Sequence, residues 1–491
     1  MIGVALGSLA ALLGAVPAGD RYALVTSVVA DSRQVQPGAL FVALAGARVD
    51  GHDHVLGAVD DGAVAALTQR DVPPAPCLVV DDPLAALGRV ARHVVDLGVA
   101  GGLQVVGITG SQGKTSTKDL LAQVLEAAGP TVAPVGNLNN ELGVPLTACR
   151  IDTATRFLVA ELGARGIGHI AYLCGIVAPR VGVVLNVGQA HVGEFGGQDA
   201  IARAKGELVE ALPADGRAVL NADDPRVWAM RSRTPAPVLA FSVRGAPEGP
   251  GLWASDLAAD RLGRHRFRLH ARTAAGAEDT ADVRLLLTGR HQVANAVAAA
   301  AAATAVGLDL GPIAAALGHA RPRSRWRMEL TERPDGVVVI NDAYNANPDS
   351  MRAAVATLAE LGRANGSRTW AVVGDMLELG GTAEAEHADL GRYLVDQQVS
   401  GVFAVGEHAA GLVAAALAAG GDPALTRASP DKQDALDAVR AVLAPGDVVL
   451  VKASRGLTLD TVAEALTVPA GVAQPGETPR DQPTDRSEDP A

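Results

Sequence analysis

The stretch 104–128 constrains the fold of this chain more than any other. An apolar run at 104–106 leads into Gly107-Ile-Thr109-Gly110-Ser111-Gln112-Gly113-Lys114-Thr115, and a helix-like pattern follows over 116–128. A strand, a glycine turn and Lys-Thr at a helix start can wrap a nucleotide polyphosphate. Backbone N–H groups turn inward around phosphate oxygens, and the helix N-terminus adds positive potential. Lys114 can neutralise the β- and γ-phosphates, and the Thr115 hydroxyl can hold Mg²⁺. The long form of this loop has glycine at position 108, where the chain has Ile108. The match is therefore the shorter Gly110-x-x-Gly113-Lys114-Thr115.

A length of 491 residues implies about three domains. Hydrophobic content of 48% and charged content of 20% fit an ordinary globular protein. Aromatics at 3% leave too few stacking platforms for single-stranded nucleic acid. The excess of 54 acidic over 42 basic residues, net −12, also argues against nucleic acid as a partner. Cys77, Cys149 and Cys174 form neither a disulfide framework nor a metal spacing. They read as reduced core residues, which fits the cytoplasm. The uncharged segment 1–18 lacks the basic start of a signal peptide. Its Leu9, Leu12, Leu13 and Val16 fall at helical spacing, so an amphipathic helix is expected. No other segment is long and apolar enough to span a membrane. A monomer without membrane insertion is expected.

Along the chain, 1–100 mixes short β-like runs (39–44, 77–80) with helical stretches, and 98–102 reads as a linker. From 101 to 324, strand-length apolar runs at 157–161, 181–187 and 218–221 alternate with helical segments such as 200–212. That alternation implies a mostly parallel sheet covered by helices. The turn-rich stretch 236–288 reads as an antiparallel excursion, and the Ala/Val-rich 292–305 as a buried helix. From 325 to 470, runs at 337–341, 369–373, 401–405 and 448–452 predict a second α/β sheet. The Pro-, Asp-, Glu- and Thr-rich 471–491 reads as a disordered tail.

Several strand ends carry polar groups. Phe157-Leu-Val-Ala-Glu161 ends in a carboxylate, and phosphate-loop enzymes hold Mg²⁺ with an acid placed so. Val184-Leu-Asn186-Val-Gly-Gln-Ala-His191 ends in an imidazole suited to a second Mg²⁺ or a phosphate, or to a purely structural place. Lys205 lies in a helical stretch, where a surface lysine is the plainer reading. Asn221-Ala-Asp223-Asp224 suits nucleotide hydroxyls or an ordinary polar turn. Asn341-Asp342-Ala-Tyr344-Asn345-Ala-Asn347-Pro348 is dense in polar groups after a strand, where ligands of open α/β sheets bind. Lys452-Ala-Ser454-Arg455 offers two cations and a hydroxyl to an anionic group.

Together these pieces resemble the Mur ligase family over about 25–465. The matching stretches include Asp31-Ser32-Arg33, Gly38 to Gly46, Asp50-Gly51-His52, Thr109 to Thr115 and Gly136-Asn137-Leu-Asn139-Asn140-Glu-Leu-Gly143-Val-Pro145. They continue through Glu161-Leu-Gly-Ala, His191, Ala204-Lys205-Gly206-Glu207 and Asn221-Ala-Asp223-Asp224. Gly289-Arg-His291-Gln-Val-Ala-Asn295, Asn341 to Ser350, Gly374 to Gly380 and Lys452 to Arg455 complete the series. The Asn345-Ala-Asn347-Pro-Asp-Ser350 form resembles the dipeptide-adding member, and the Asp-Asn-Pro-Arg motif of diaminopimelate recognition is absent from the sequence. Departures are Ala453, where some relatives have glycine, and the Ser324-Arg325-Trp-Arg327 approach to the third domain.

The resemblance implies an α/β enzyme of three domains: a small N-terminal α/β substrate domain (1–100), a central phosphate-loop ATPase domain with a mostly parallel sheet (101–324), and a C-terminal Rossmann-like α/β domain (325–470). It assigns Ser32 and Arg33 to the nucleotide-sugar end of the substrate. Asn137, Asn139, Asn140, Lys452, Ser454 and Arg455 are expected to serve substrate too. ATP falls to Thr109, Gly110, Ser111, Gln112, Gly113, Lys114, Thr115 and Ser116. His291 and Asn295 match the adenine side, and Arg327, Asp342 and Asn345 match third-domain positions that close on the nucleotide. Thr115, Glu161, His191 and Lys205 are expected to hold two Mg²⁺ ions, with Lys205 carbamylated into an anion. Lys114, Lys205, His191 and Glu161 form the expected catalytic set. The implied reaction joins D-alanyl-D-alanine to a UDP-MurNAc-tripeptide at the expense of ATP. A diaminopimelate- or lysine-adding ligase and a phosphate-loop module that only hydrolyses ATP are the alternatives.

Overall fold

The computed structural model describes residues 1–16, 19–46, 49–188 and 197–468. His191 and the tail 471–491 lie outside the described residues. Among the described residues the strands form a two-stranded ribbon and sheets of four, nine and six strands.

The four-stranded sheet is parallel, in the order Ser27–Val29, Ala39–Val42, Ala63–Thr68, Cys77–Val79. Helix Pro83–Ala100 follows it, started by Asp82, whose carboxylate accepts the Leu84 and Ala85 N–H groups at 2.9 and 3.1 Å, and by Pro83 at its first position. The expected linker at 98–102 is instead the last turn of this helix plus a tight bend. Gly98 packs there against Leu103 and Ile151, and a Cβ would lie 2.9 Å from Leu103. The N-terminal helix forms as Leu6–Leu13 and buries Leu6, Leu9 and Leu13. It stops at the left-handed Gly14, so Val16 is 85% exposed rather than part of the apolar stripe.

The nine-stranded sheet runs Glu278–Thr288, Arg264–Arg272, Gly251–Ala259, Val238–Ser242, Arg217–Asn221, Val181–Val184, Gln104–Thr109, Phe157–Glu161, Thr131–Val132. Only its first two pairings are antiparallel. The expected excursion over 236–288 is therefore an extension of the central sheet, whose strands Val238–Ser242 and Gly251–Ala259 still pair in parallel. One face of this sheet packs on helices Lys114–Glu126 and His291–Ala305, the latter buried along its alanines. The other face shares a continuous apolar core with Leu40, Leu67, Leu87, Val90 and Val94 of the N-terminal unit. These two units are thus welded together.

The six-stranded sheet runs Glu329–Glu332, Val338–Asn341, Val448–Lys452, Thr369–Gly374, Gly401–Val405, Thr426–Ser429, parallel but for its first strand. It has a separate apolar cluster on each face. Cys77, Cys149 and Cys174 are buried and unpaired, and burial pushes the thiols of Cys149 and Cys174 up to about 12.

Candidate active site

The strand Gln104–Thr109 sits between Phe157–Glu161 and Val181–Val184, in parallel register that sets Ile108 beside Glu161 and Thr109 beside Val184. All three strands end on one side, where parallel sheets open a crevice. The phosphate loop leaves the middle strand and is moulded by its neighbour. Asn186 Oδ1 accepts the Gln112 N–H at 2.9 Å and its Nδ2 donates to Gln112 O at 3.1 Å. Asn186 O accepts the Ser111 N–H at 3.1 Å, and Ser111 Oγ accepts the Gly188 N–H at 2.8 Å. Gly113 holds φ 78 and abuts the Asn295 side chain, so no other residue type fits comfortably there. Lys114 Nζ folds back onto Gly110 O at 2.7 Å. Burial lowers its pKa, the Glu161 carboxylate offsets part of that, and Arg327 adds to it.

A cleft of about 410 Å³ opens over this loop. Gly110, Ser111, Gln112, Gly113, Lys114, Thr115 and Ser116 line its floor. Thr109 does not: its hydroxyl is buried and donates to Leu162 O at 2.9 Å. Asn137, Asn139 and Asn140 line one wall together with Glu161 and Lys205. Glu161 is 1% exposed; Oε1 accepts the Asn139 Nδ2–H at 2.8 Å, while buried Oε2 has no hydrogen-bond partner among the described residues. Lys205 projects from helix Gln198–Glu210. Its pKa lies well below the ordinary lysine value, chiefly through burial and then through the charge of Lys114. Glu207, two residues on, turns away and caps helix His169–Val177, accepting the Gly168 and Ala171 N–H groups at 2.6 and 2.9 Å.

The far wall comes from helix His291–Ala305 and the third sheet. Asn295 accepts from Thr117 Oγ1 at 3.3 Å and donates to Gln292 at 2.9 Å. His291 is pushed down to about 4 by burial, against the pull of Asp342. Arg327 donates to Thr115 Oγ1 at 3.3 Å and stacks on the Tyr344 ring at 4.0 Å. Lys452, 2% exposed, bonds Asp342 at 2.5 Å and Asn345 O at 2.9 Å. Asp342 also accepts the Met328 N–H at 3.0 Å. The expected third-domain groups Arg327, Asp342, Asn345 and Lys452 thus meet the phosphate loop in one space.

Other expected residues lie elsewhere. Ser32 and Arg33 stand in the N-terminal unit, outside this cleft, with Arg33 held by Asp31 at 2.8 Å. Ser454 accepts the Leu377 N–H at 2.9 Å, and Arg455 bonds Asp460 at 2.7 Å and stacks over Trp326. Neither lines the cleft. Asp223 and Asp224 serve the turn reading: Asp223 accepts from Ser242 and Val243, and Asp224 caps Pro225–Ala229. The cleft also contains Glu141, Arg165, His169, Gln292 and Glu378, to none of which the sequence assigned a site role. Arg165 and His169 follow the strand end at Glu161, so their position beyond a parallel strand was the signal available.

The residues present fit a divalent cation beside a polyphosphate: a threonine hydroxyl at the helix start, an unpaired buried carboxylate oxygen, and a lysine amine biased to neutrality. Among the described residues no group of three His, Cys, Asp or Glu side chains forms a metal cluster by itself.

Three family models match the chain: Mur ligase family, catalytic domain, over 24–93; Mur ligase middle domain over 108–303; and Mur ligase, glutamate ligase domain, over 326–455. The UDP-N-acetylmuramoyl-tripeptide–D-alanyl-D-alanine ligase of Mycobacterium tuberculosis is 46% identical over 472 residues, covering 89% of this chain and 91% of the relative. The Escherichia coli protein of the same name is 35% identical, covering 95% and 99%. MurF from Acinetobacter baumannii superposes with TM-score 0.83 at 31% identity, covering 95% and 99%. MurF from Thermotoga maritima, solved with ADP, gives 0.76 at 27% identity, covering 90% and 97%. The phosphate loop, the carboxylate strand and the third-sheet cations thus stand in a chain that belongs to the Mur ligase family.

Proposed function

We propose that the protein is an ATP-dependent carboxylate–amine ligase that adds D-alanyl-D-alanine to UDP-MurNAc-tripeptide in peptidoglycan precursor synthesis. The products are UDP-MurNAc-pentapeptide, ADP and phosphate. The observation that carries this reading is the convergence of Lys114, Glu161 and Lys205 with Arg327, Asp342 and Lys452 in one cleft. The domain division that goes with it is 1–100 for the UDP end, 101–324 for ATP and 325–470 for the incoming amine.

In the first step the tripeptide carboxylate oxygen bonds the γ-phosphorus of ATP, and the bond to ADP breaks. Lys114 and the backbone N–H groups of 110–115 balance the charge that builds on the transferring group. Thr115, Glu161 and His191 would hold Mg²⁺, which supplies further charge neutralisation. Lys205, whose cationic form burial and the charge of Lys114 disfavour, is suited to add CO₂ with loss of a proton, and the carbamate so formed would be an anionic ligand to a second ion. In the second step the D-alanyl-D-alanine amine attacks the acyl carbon, loses a proton, and expels phosphate. The third unit covers the site during this step and limits loss to water. Among the described residues no helix is long and apolar enough to cross a membrane.

The test is phosphate release with UDP-MurNAc-tripeptide, D-alanyl-D-alanine and ATP, with product mass read in parallel. Release that needs both substrates and yields the pentapeptide is expected. Release with UDP-MurNAc-dipeptide and a diamino acid moves the assignment one step back, and release without either leaves a nucleotide hydrolase. Labelled bicarbonate gives a carbamate carbon resonance that is absent from Lys205→Arg if the lysine is modified.

A further inference from the structure

The helix behind the phosphate loop has a second face that the chemistry above does not use. Asp119, Gln123 and Glu126 lie on one stripe of Lys114–Glu126. All three hold the segment that joins the central sheet to the third unit. Gln123 binds the Arg321 backbone twice: Nε2 donates to Arg321 O and Oε1 accepts from Arg321 N, both at 3.0 Å. Glu126 takes two guanidinium nitrogens of Arg323 at 2.6 and 2.5 Å. Asp119 accepts the Ser324 N–H at 3.1 Å, and its other oxygen is held by buried Lys118 at 2.5 Å.

Beyond Ser324 the partners change. Arg325 bonds Glu464 at 2.8 Å, the Trp326 N–H donates to Glu329 at 3.1 Å, and the Met328 N–H donates to Asp342 at 3.0 Å. All of these belong to the third unit. Trp326 and Met328 hold φ 58 and 52, a conformation bulky residues keep only where their surroundings fix it. The switch from one body to the other therefore falls at the Ser324–Arg325 peptide. Three residues past Ser324, Arg327 reaches back to Thr115, one turn before Asp119 on the same helix. Three residues span at most about 10 Å, so a displaced anchor is felt at Arg327 directly.

Resting on the ligase reading, we infer that Asp119, Gln123 and Glu126 are positioning residues for amine addition. They fix the last anchored point of the central body, and so set where the third unit meets the acyl phosphate. With the anchor loosened, phosphoryl transfer on the loop continues, but the acyl phosphate meets water more often than the amine.

The experiment measures amide formed per phosphate released, with KM values for ATP and for D-alanyl-D-alanine. Gln123→Ala removes both backbone bonds; Gln123→Glu keeps the acceptor and loses the donor, and serves if the alanine variant fails to fold. Loss of two such bonds corresponds to about tenfold. A KM for D-alanyl-D-alanine raised about tenfold is expected, with amide per phosphate below the parent and a smaller rise in the KM for ATP. Glu126→Arg is expected to shift both in the same direction, and adding Arg323→Glu to restore them. Both side chains are partly exposed, so this swap spares the core. Unchanged coupling in the Gln123 and Glu126 variants, or equal losses at the ATP and dipeptide steps, overturns the inference. A parent protein that forms no amide from these substrates removes the ligase reading, and this inference with it.

Discussion

An unpaired carboxylate oxygen inside a protein is costly, and proteins keep such groups only where something else completes them. Among the described residues Glu161 Oε2 is one, with its twin oxygen already given to Asn139. Glu161→Gln keeps the shape and removes the charge that a cation needs. Phosphate release is expected to fall about 10²- to 10³-fold, with the Mg²⁺ requirement moved to higher concentration. A variant with parental rate and Mg²⁺ dependence would sink this role. His291 makes a pH prediction. Its folded pKa is about 4 against 6.5 for the free side chain, because burial disfavours the cation. Above pH 6.5 neither state binds the proton, and the group leaves stability unchanged. Between 6.5 and 4 the unfolded chain binds it and the folded one does not, so stability falls as pH drops. A loss of about 1–2 kcal/mol from this group is expected between pH 7 and 5. Urea midpoints at both pH values should fall further for the parent than for His291→Gln; equal falls would contradict it.

Helix Pro348–Asn365 delivers polar groups to the cleft from its first turn. Asn347 Oδ1 accepts the Ser350 N–H at 2.9 Å, and Ser350 Oγ accepts the Asn347 N–H at 3.1 Å. This reciprocal cap satisfies N–H groups that the helix start would otherwise leave free. Asn347→Ala is expected to cost about 1 kcal/mol, recovered largely by Asn347→Asp; calorimetry showing no loss would exclude the cap as a determinant. The sequence made such elements readable where burial was complete. Phe157–Glu161, Gly401–Val405 and Val448–Lys452 are continuous apolar runs, and their bounds follow from the residues. The edge strands Glu329–Glu332 and Thr426–Ser429 were not legible, since half of each faces solvent and carries polar residues. The same limit held at the site. Glycine, lysine and strand-end acid marked the phosphate loop and Glu161 directly. A strand-end polar group serves a ligand or a turn equally well, however. Only packing showed Lys452 facing the cleft while Ser454 held the Leu377 N–H.

At the scale of the whole molecule, two attachments outside the cleft hold the third unit among the described residues. One tether is the linker that ends at Ser324. The other is the turn between Gly251–Ala259 and Arg264–Arg272, which leaves the central sheet and enters the third unit's core. Leu262, 8% exposed, joins the apolar cluster that contains Leu358 and Leu361. Arg261 bonds Glu332 at 2.7 and 3.0 Å, and Asn365 Nδ2 donates to Arg261 O at 2.8 Å. Two attachment points define an axis, and a body held at both can rotate about it without losing either contact. Among the described residues the third unit meets the central one's apolar side chains through Leu262 rather than through a shared continuous core, so motion is expected to concentrate at the third unit. Leu262→Ala would empty the second attachment. A buried leucine cut to alanine costs about 2–4 kcal/mol, and the loss should fall on the third unit, whose core the residue fills. Calorimetry is expected to resolve an early transition for that unit, with the N-terminal and central transition left in place. ADP binding to the phosphate loop should change little, because Leu262 lies in neither the loop nor the cleft lining. A single transition at the parental temperature would mean that the turn rests against the third unit without holding it.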